Sequence, residues 1–168
     1  MEFLKGLVDF FFSGQVLAFM GASLAAAFGG WGSAKGVGLS GETAAGILSE
    51  KPELFGKLLI LQALPGTQGI YGLLVWFMVM VKGGFLAGTS GGMSTLVGMQ
   101  FFMACVPSMV VLYFSAILQG RVAANGMMMV AKQPGEQSKA IVLAAMVETY
   151  AILALLASML MILLGIKV

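Results

Sequence analysis

The sequence predicts an all-α integral membrane protein, four transmembrane helices arranged as two tandem helical hairpins in a single membrane domain over residues 1–168. Three observations carry this prediction. Sixty per cent of the residues are hydrophobic and 10% charged, too few charges to cover a soluble surface of this size. The charges are also segregated: they fall at 2–9, 35–57, 82, 121–139 and 167, and only Glu148 lies outside these groups. Finally, a shift of 82 residues aligns Ser33-Ala34 with Ser115-Ala116, Gly38 with Gly120, Pro52 with Pro134 and Lys57 with Lys139. A soluble bundle would need four helices apolar on every face, a pattern that belongs in lipid.

The stretches 10–34, 58–81, 83–120 and 140–166, uncharged but for Glu148 in the last, each have room for the ~20 apolar residues that span a bilayer. Lys5 ahead of an apolar run has the look of a signal peptide. The run from Phe10 to Ala27 is too long for one, however, and Asp9 interrupts the charged start, so the first span is expected here. It carries small residues at a spacing of four, Gly14, Ala18, Ala22, Ala26 and Gly30, with Gly21, Ala25 and Gly29 beside them. In lipid such a ridge lets backbones approach closely, and it predicts a tight helix seam.

A polar loop over 33–57 follows, then a second span holding Pro65, which interrupts the helix near Leu61 to Gly66. Gly83, Gly84, Gly88, Gly91 and Gly92 mark a loop and close the first hairpin, 10–82. The third span is expected from Met93 to Gln119, with the lone Cys105 inside it, which excludes an internal disulfide framework. A second polar loop, 121–139, leads to the fourth span and completes the second hairpin, 93–166. An even number of spans returns the chain to its starting side, so the repeat is parallel.

The two polar loops share one side and hold six of the nine basic residues: Lys35, Lys51, Lys57, Arg121, Lys132 and Lys139. The positive-inside rule places both loops in the cytoplasm and both termini outside a cell membrane that the chain crosses several times. The net charge of +2 gives no reason to expect nucleic acid.

An acid in "AAMVETYAILALL" costs at least a few kcal/mol at mid-span, so Glu148 is read as deeply buried and functional. Burial favours its neutral form, and a bound cation restores the charged one. In the second span Pro65 frees backbone carbonyls that need partners, while Thr67, Gln68 and Tyr71 add side-chain oxygens within little more than a turn. The repeat offset places the counterpart of Glu148 here, at Gly66 or Thr67. Gln119 ends the third span. Glu148, Gln119, Gln68, Thr67 and a freed carbonyl such as that of Leu64 make an all-oxygen set suited to a hard cation. One carboxylate balances a monovalent ion, and the surplus of oxygens favours Na⁺ over H⁺. With no His in the chain and no Lys-Ser/Thr ending to "GSAKGVG" (32–38), Cys/His metal chemistry and a phosphate loop are excluded. A small secondary ion transporter or channel is the alternative reading, though neither an inverted repeat nor a polar-lined path is visible.

The segments "WGSAKGVGLSGE", "LILQALPGTQGIYG", "LQGRVAANG" and "AAMVETYAIL" resemble, in order and over most of the chain, the membrane-rotor proteolipid of bacterial V-type ATPases, subunit K. The resemblance is closest to the sodium-translocating members and weakest at the N-terminus and at Gly83 to Gly92. It implies a homo-oligomeric ring of protomers that is not catalytic alone. It implies a stator membrane subunit with an essential Arg, a central-stalk subunit gripping the cytoplasmic loops, and lipid around the ring. It further implies that Glu148 is the ion-binding carboxylate and that the Leu64 carbonyl, Thr67, Gln68 and Gln119 complete the coordination. Tyr71 would hydrogen-bond Glu148. Some members keep an acid in both hairpins; here the first has none, and one ion per protomer is expected.

Overall fold

Four helices long and apolar enough to cross a membrane organise the chain, and the structure, a computed structural model, describes residues 1–167. Among these residues there is no strand. Helix α1, Glu2–Phe11, is a short preface with Glu2, Lys5 and Asp9 on one face and Phe3, Leu4, Leu7 and Phe11 on the other. Ser13, extended at ψ 144°, breaks the path and caps the next helix by accepting from the Val16 N–H. The first span therefore starts at Gly14, not at Phe10.

Helix α2 runs Gly14–Leu48 and α5 runs Thr95–Lys132, 35 and 38 residues respectively. At 1.5 Å per residue each is more than ~50 Å long, against a hydrocarbon core of ~30 Å. The expected polar loops over 33–57 and 121–139 are thus largely helix. Charges cost a helix little once it has left the lipid, and within these two stretches no proline intervenes before Pro52 or Pro134. Pro52 and Pro134 each disfavour the helical region for the residue before them. Lys51 lies at φ −134°, ψ 68° and Gln133 at φ −136°, ψ 84°, so the repeat-related positions turn the chain in the same way. Short 3₁₀ turns, Pro52–Leu54 and Pro134–Glu136, then lead into α3, Phe55–Ala63, and α6, Gln137–Leu160. The two turns lie at one end of the molecule. Lys51 Nζ donates to Ala131 O (2.6 Å), and Lys57 Nζ donates to Pro134 O (2.8 Å).

The second span breaks as the proline requires. Helix α3 gives way to a 3₁₀ turn at Leu64–Gly66 before α4, Thr67–Lys82. The glycine-rich segment after Lys82 is a turn, with Gly84, Gly88 and Gly92 at positive φ. The α6 helix ends in a π turn, Met161–Gly165.

The most extensive helix contact joins α2 to α5, and each also packs against its own hairpin partner, α4 or α6. The α2–α5 seam is parallel. Gly14 meets Gly98 and Gly36 meets Gly120, both pairs 84 positions apart, with no room for a Cβ at any of the four. A Cβ at Gly21 would lie 2.6 Å from Phe102 Cα, and one at Gly32 would lie 2.7 Å from Tyr113 Cα. The small-residue ridge forms this seam only in part, since Ala26 is half-buried and Gly30 is exposed with nothing near it. Four residues turn a helix by about 400°, so a strict spacing of four drifts about 40° per step. The buried line instead steps to Ala25, Gly29, Ser33 and Gly36.

Two apolar clusters result. One gathers Ala18, Ala22, Val75, Phe101, Cys105 and Ile162; the other gathers Leu54, Leu58, Leu61, Ala123, Met127 and Ala144. Gln68 falls between Leu61 and Val75 in the chain, Gln119 between Cys105 and Ala123, and Glu148 between Ala144 and Ile162. The polar side chains therefore make a layer between the two cores.

Candidate functional site

The 3₁₀ turn begins the site. Thr67, first residue of α4, donates its backbone N–H to Leu64 O, and its hydroxyl lies 3.0 Å from that same oxygen. The hydroxyl also lies 3.3 Å from Gln68 Oε1; having one proton, it donates to one of the two at a time. Gln68 is fully buried, and its Nε2 donates to Gln119 Oε1. The Gln119 Nε2 in turn lies 3.4 Å from Glu148 Oε2. The other carboxyl oxygen, Oε1, accepts the Tyr71 hydroxyl at 2.7 Å. Leu64, Thr67, Gln68, Tyr71, Gln119 and Glu148 are thus joined in one hydrogen-bonded chain spanning three of the four spans. A further contact comes from the remaining one, the first: Ser33 of α2 bonds the backbone on both sides of this segment, at Gly66 and Gly69.

Two details differ from the sequence reading. Gln119 does not end its helix; it lies well inside the 38-residue α5 and is fully buried, because α5 continues to Lys132. Glu148 is half-buried in the single chain, not deeply buried. It leaves α6 on a face where Ala144 and Ala151 are buried but Ile152, one turn on, is 41% exposed. Its burial therefore depends on what lies against that face, which one sequence does not reveal. Ser33 was visible only as a partner in the repeat alignment. Its contacts are to backbone groups, and these leave no pattern of side chains to read.

The chemistry of the donor set is hard and oxygen-rich. The carboxyl of Glu148 has no salt-bridge partner among the described residues, where Lys139–Glu136 is the one ion pair. Every buried side-chain polar atom there has a hydrogen-bond partner. No group of three or more His, Cys, Asp or Glu gathers anywhere among them, so no multi-carboxylate or thiolate site competes with this one. A lone carboxyl linked by hydrogen bonds to neutral oxygen-bearing groups matches a single positive charge better than two.

A model of the ATP synthase C-subunit family matches the chain twice, over residues 20–79 and 102–161. The two matches start 82 residues apart, the offset of the sequence repeat. The chain is 45% identical to the V-type sodium ATPase subunit K of Enterococcus hirae over 150 residues, 89% of this chain and 92% of that protein. It is 34% identical to the A-type ATP synthase subunit K of Methanocaldococcus jannaschii over 153 residues. That match covers 87% of this chain but 61% of the archaeal protein's length.

Proposed function

This chain belongs to the ATP synthase C-subunit family, as a multi-pass membrane rotor proteolipid of the V/A-type ATPases that is not catalytic alone, and we propose that it carries one Na⁺, or H⁺, per protomer at Glu148. The observation that carries the reading is the hydrogen-bonded chain from the Leu64 carbonyl to Glu148. It links four oxygen-bearing groups, the Leu64 carbonyl, Thr67, Gln68 and Gln119, to one carboxyl that no cationic side chain among the described residues balances.

On this reading the Leu64 carbonyl, Thr67, Gln68, Gln119 and Glu148 hold the ion, and Tyr71 steadies the carboxylate by its hydrogen bond. The preference for Na⁺ over H⁺ follows from the number of oxygens, because a proton needs only the carboxyl and one acceptor. Protomers assemble into a ring through the apolar faces that the single chain leaves exposed, with lipid against the rest. An ion enters from a stator membrane subunit, neutralises Glu148, and travels past lipid as the ring turns. An Arg of the stator displaces it at exit. Each charge crossing 100 mV is worth ~2.3 kcal/mol, so several must pass for each ATP. The tied turns around Lys51–Pro52 and Gln133–Pro134 face the cytoplasm, where the central stalk grips them, and the termini lie outside.

The test is labelling of the assembled complex in vesicles with a carboxyl-reactive carbodiimide, with and without Na⁺. Modification of Glu148 that Na⁺ slows is the expected result. Modification indifferent to Na⁺ assigns the site to protons, and no modification at any pH sinks the ion-carrying role.

A further inference from the structure

Pro65 breaks the second span, and beyond the Thr67 N–H, which donates to Leu64 O, the first turn of α4 has N–H groups in need of acceptors. Helices in water usually meet this need with the side chain of their own N-cap residue, but the residue in that position is Gly66, which has none. The acceptor arrives from another helix. Ser33, nearly buried on α2, accepts the Gly69 N–H at 2.7 Å and donates its own hydroxyl proton to Gly66 O at 3.3 Å. One side chain thereby satisfies a backbone donor and a backbone acceptor that bracket Thr67 and Gln68.

The fit is close on both sides. A Cβ at Gly69 would lie 3.3 Å from Ser33 Oγ, and one at Gly29, a turn earlier on α2, would lie 2.7 Å from Gln68 O. The helices approach at glycine and leave space for this one hydroxyl.

We propose that Ser33 is a positioning residue for the ion site, an N-cap supplied across a helix boundary that fixes the first turn of α4. The two residues between its bonded groups are Thr67 and Gln68, both ligands on the reading of the site given above, and the proposal rests on that reading. With the cap in place, the Thr67 hydroxyl stays on Leu64 O and the Gln68 amide stays on Gln119. Without it the turn frays, and the oxygens must be ordered again each time an ion binds. Affinity falls while capacity stays at one per protomer.

A similar device occurs away from the site and supplies a control. After Pro107 in α5, the Ser108 N–H donates to Ser158 Oγ of α6 at 3.2 Å, inside the apolar half of the bundle. A Ser158 substitution disturbs packing at a proline to a comparable degree but touches no proposed ligand.

The experiment measures the Na⁺ concentration that half-protects Glu148 from carbodiimide in the whole reconstituted complex at fixed pH. Ser33→Ala raises it roughly three- to thirtyfold, the range a lost N-cap produces. Ser33→Cys, which keeps the volume with a poor acceptor, shifts it in the same direction, and Ser33→Thr stays within about threefold of the parent. Ser158→Ala lowers thermal stability and leaves the midpoint unmoved. A Ser33→Ala or Ser33→Cys midpoint equal to the parent's overturns the proposal; so does a Ser158→Ala shift as large as theirs, or a Thr variant no better than Ala. If the parent itself is labelled but gains no protection from Na⁺, the reading of the site fails. If the parent is protected and Ser33→Ala is protected equally, only the role of Ser33 fails.

Discussion

Tyr71 and Glu148 stand 77 positions apart, in different hairpins, and the phenol of one donates to a carboxyl oxygen of the other at 2.7 Å. The bond ties α4 to α6 at the level of the polar layer. It also gives the carboxylate a donor that is no part of the proposed oxygen set.

Removing only that donor tests its weight. Hydrogen bonds to charged groups contribute about 1.5–3 kcal/mol, and the half-exposure of Glu148 argues for the lower end or below. Tyr71→Phe is expected to weaken Na⁺ protection about five- to tenfold, with labelling of Glu148 faster at every Na⁺ concentration. Protection equal to the parent's would show the bond to be incidental.

Glu148→Gln keeps the shape of the side chain and removes its charge. The ring is expected to assemble with the parent's mass and thermal stability, while carbodiimide incorporation and Na⁺ uptake into vesicles both fall to background. Retained uptake would move the essential group elsewhere.

Gln119 accepts from Gln68 and donates towards Glu148, so it has two partners to lose. Gln119→Leu strands the buried Gln68 amide at a cost of about 1–3 kcal/mol. Adding Gln68→Leu removes the stranded group. The double variant is therefore expected to be less destabilised than the sum of the singles, by at least about 0.5 kcal/mol in thermal or denaturant unfolding of the ring. Strict additivity would mean the two amides do not interact.

The seam gives a prediction about assembly. Gly36 faces the backbone of Ala116 and Gly120 with no space for a side chain, whereas Gly30, six positions earlier, faces nothing within 4 Å. Gly36→Leu is expected to prevent the two hairpins from closing, at a cost above the ~1–3 kcal/mol typical of overpacking, so that no ring is recovered. Gly30→Ala is expected to leave yield and melting temperature unchanged. A stable Gly36→Leu ring would place the close contact elsewhere.

Composition made the four spans legible, and the proline rule located the break at Leu64–Gly66. The meeting of Thr67, Gln68, Gln119 and Glu148 was legible because each is a polar residue out of place in an apolar run. What stayed hidden has physical causes. Charges at Lys35 and Glu42 suggested a loop, yet a helix beyond the lipid carries charge freely, and α2 continues to Leu48. The same error put Gln119 at a helix end. The pattern-based ridge ran to Gly30 because a spacing of four drifts off a helix face that repeats every 3.6 residues. Ser33 escaped because it serves backbone atoms. The partial exposure of Glu148 depends on how α6 is rotated against the helices it packs on, which spacing along the chain does not encode.

Leu64, Thr67, Gln68, Gln119 and Glu148 all belong to one polypeptide, and the hydrogen bonds joining them cross no boundary between copies. If these are the ligands, neighbouring copies add cover but no oxygen. The filling of one site then has little leverage on the next, and equilibrium titration of an assembled ring follows a simple hyperbola with a Hill coefficient near one. Such a ring keeps no memory of which positions are loaded. Sequence and direction of loading are imposed from outside it, by whatever surface it turns against.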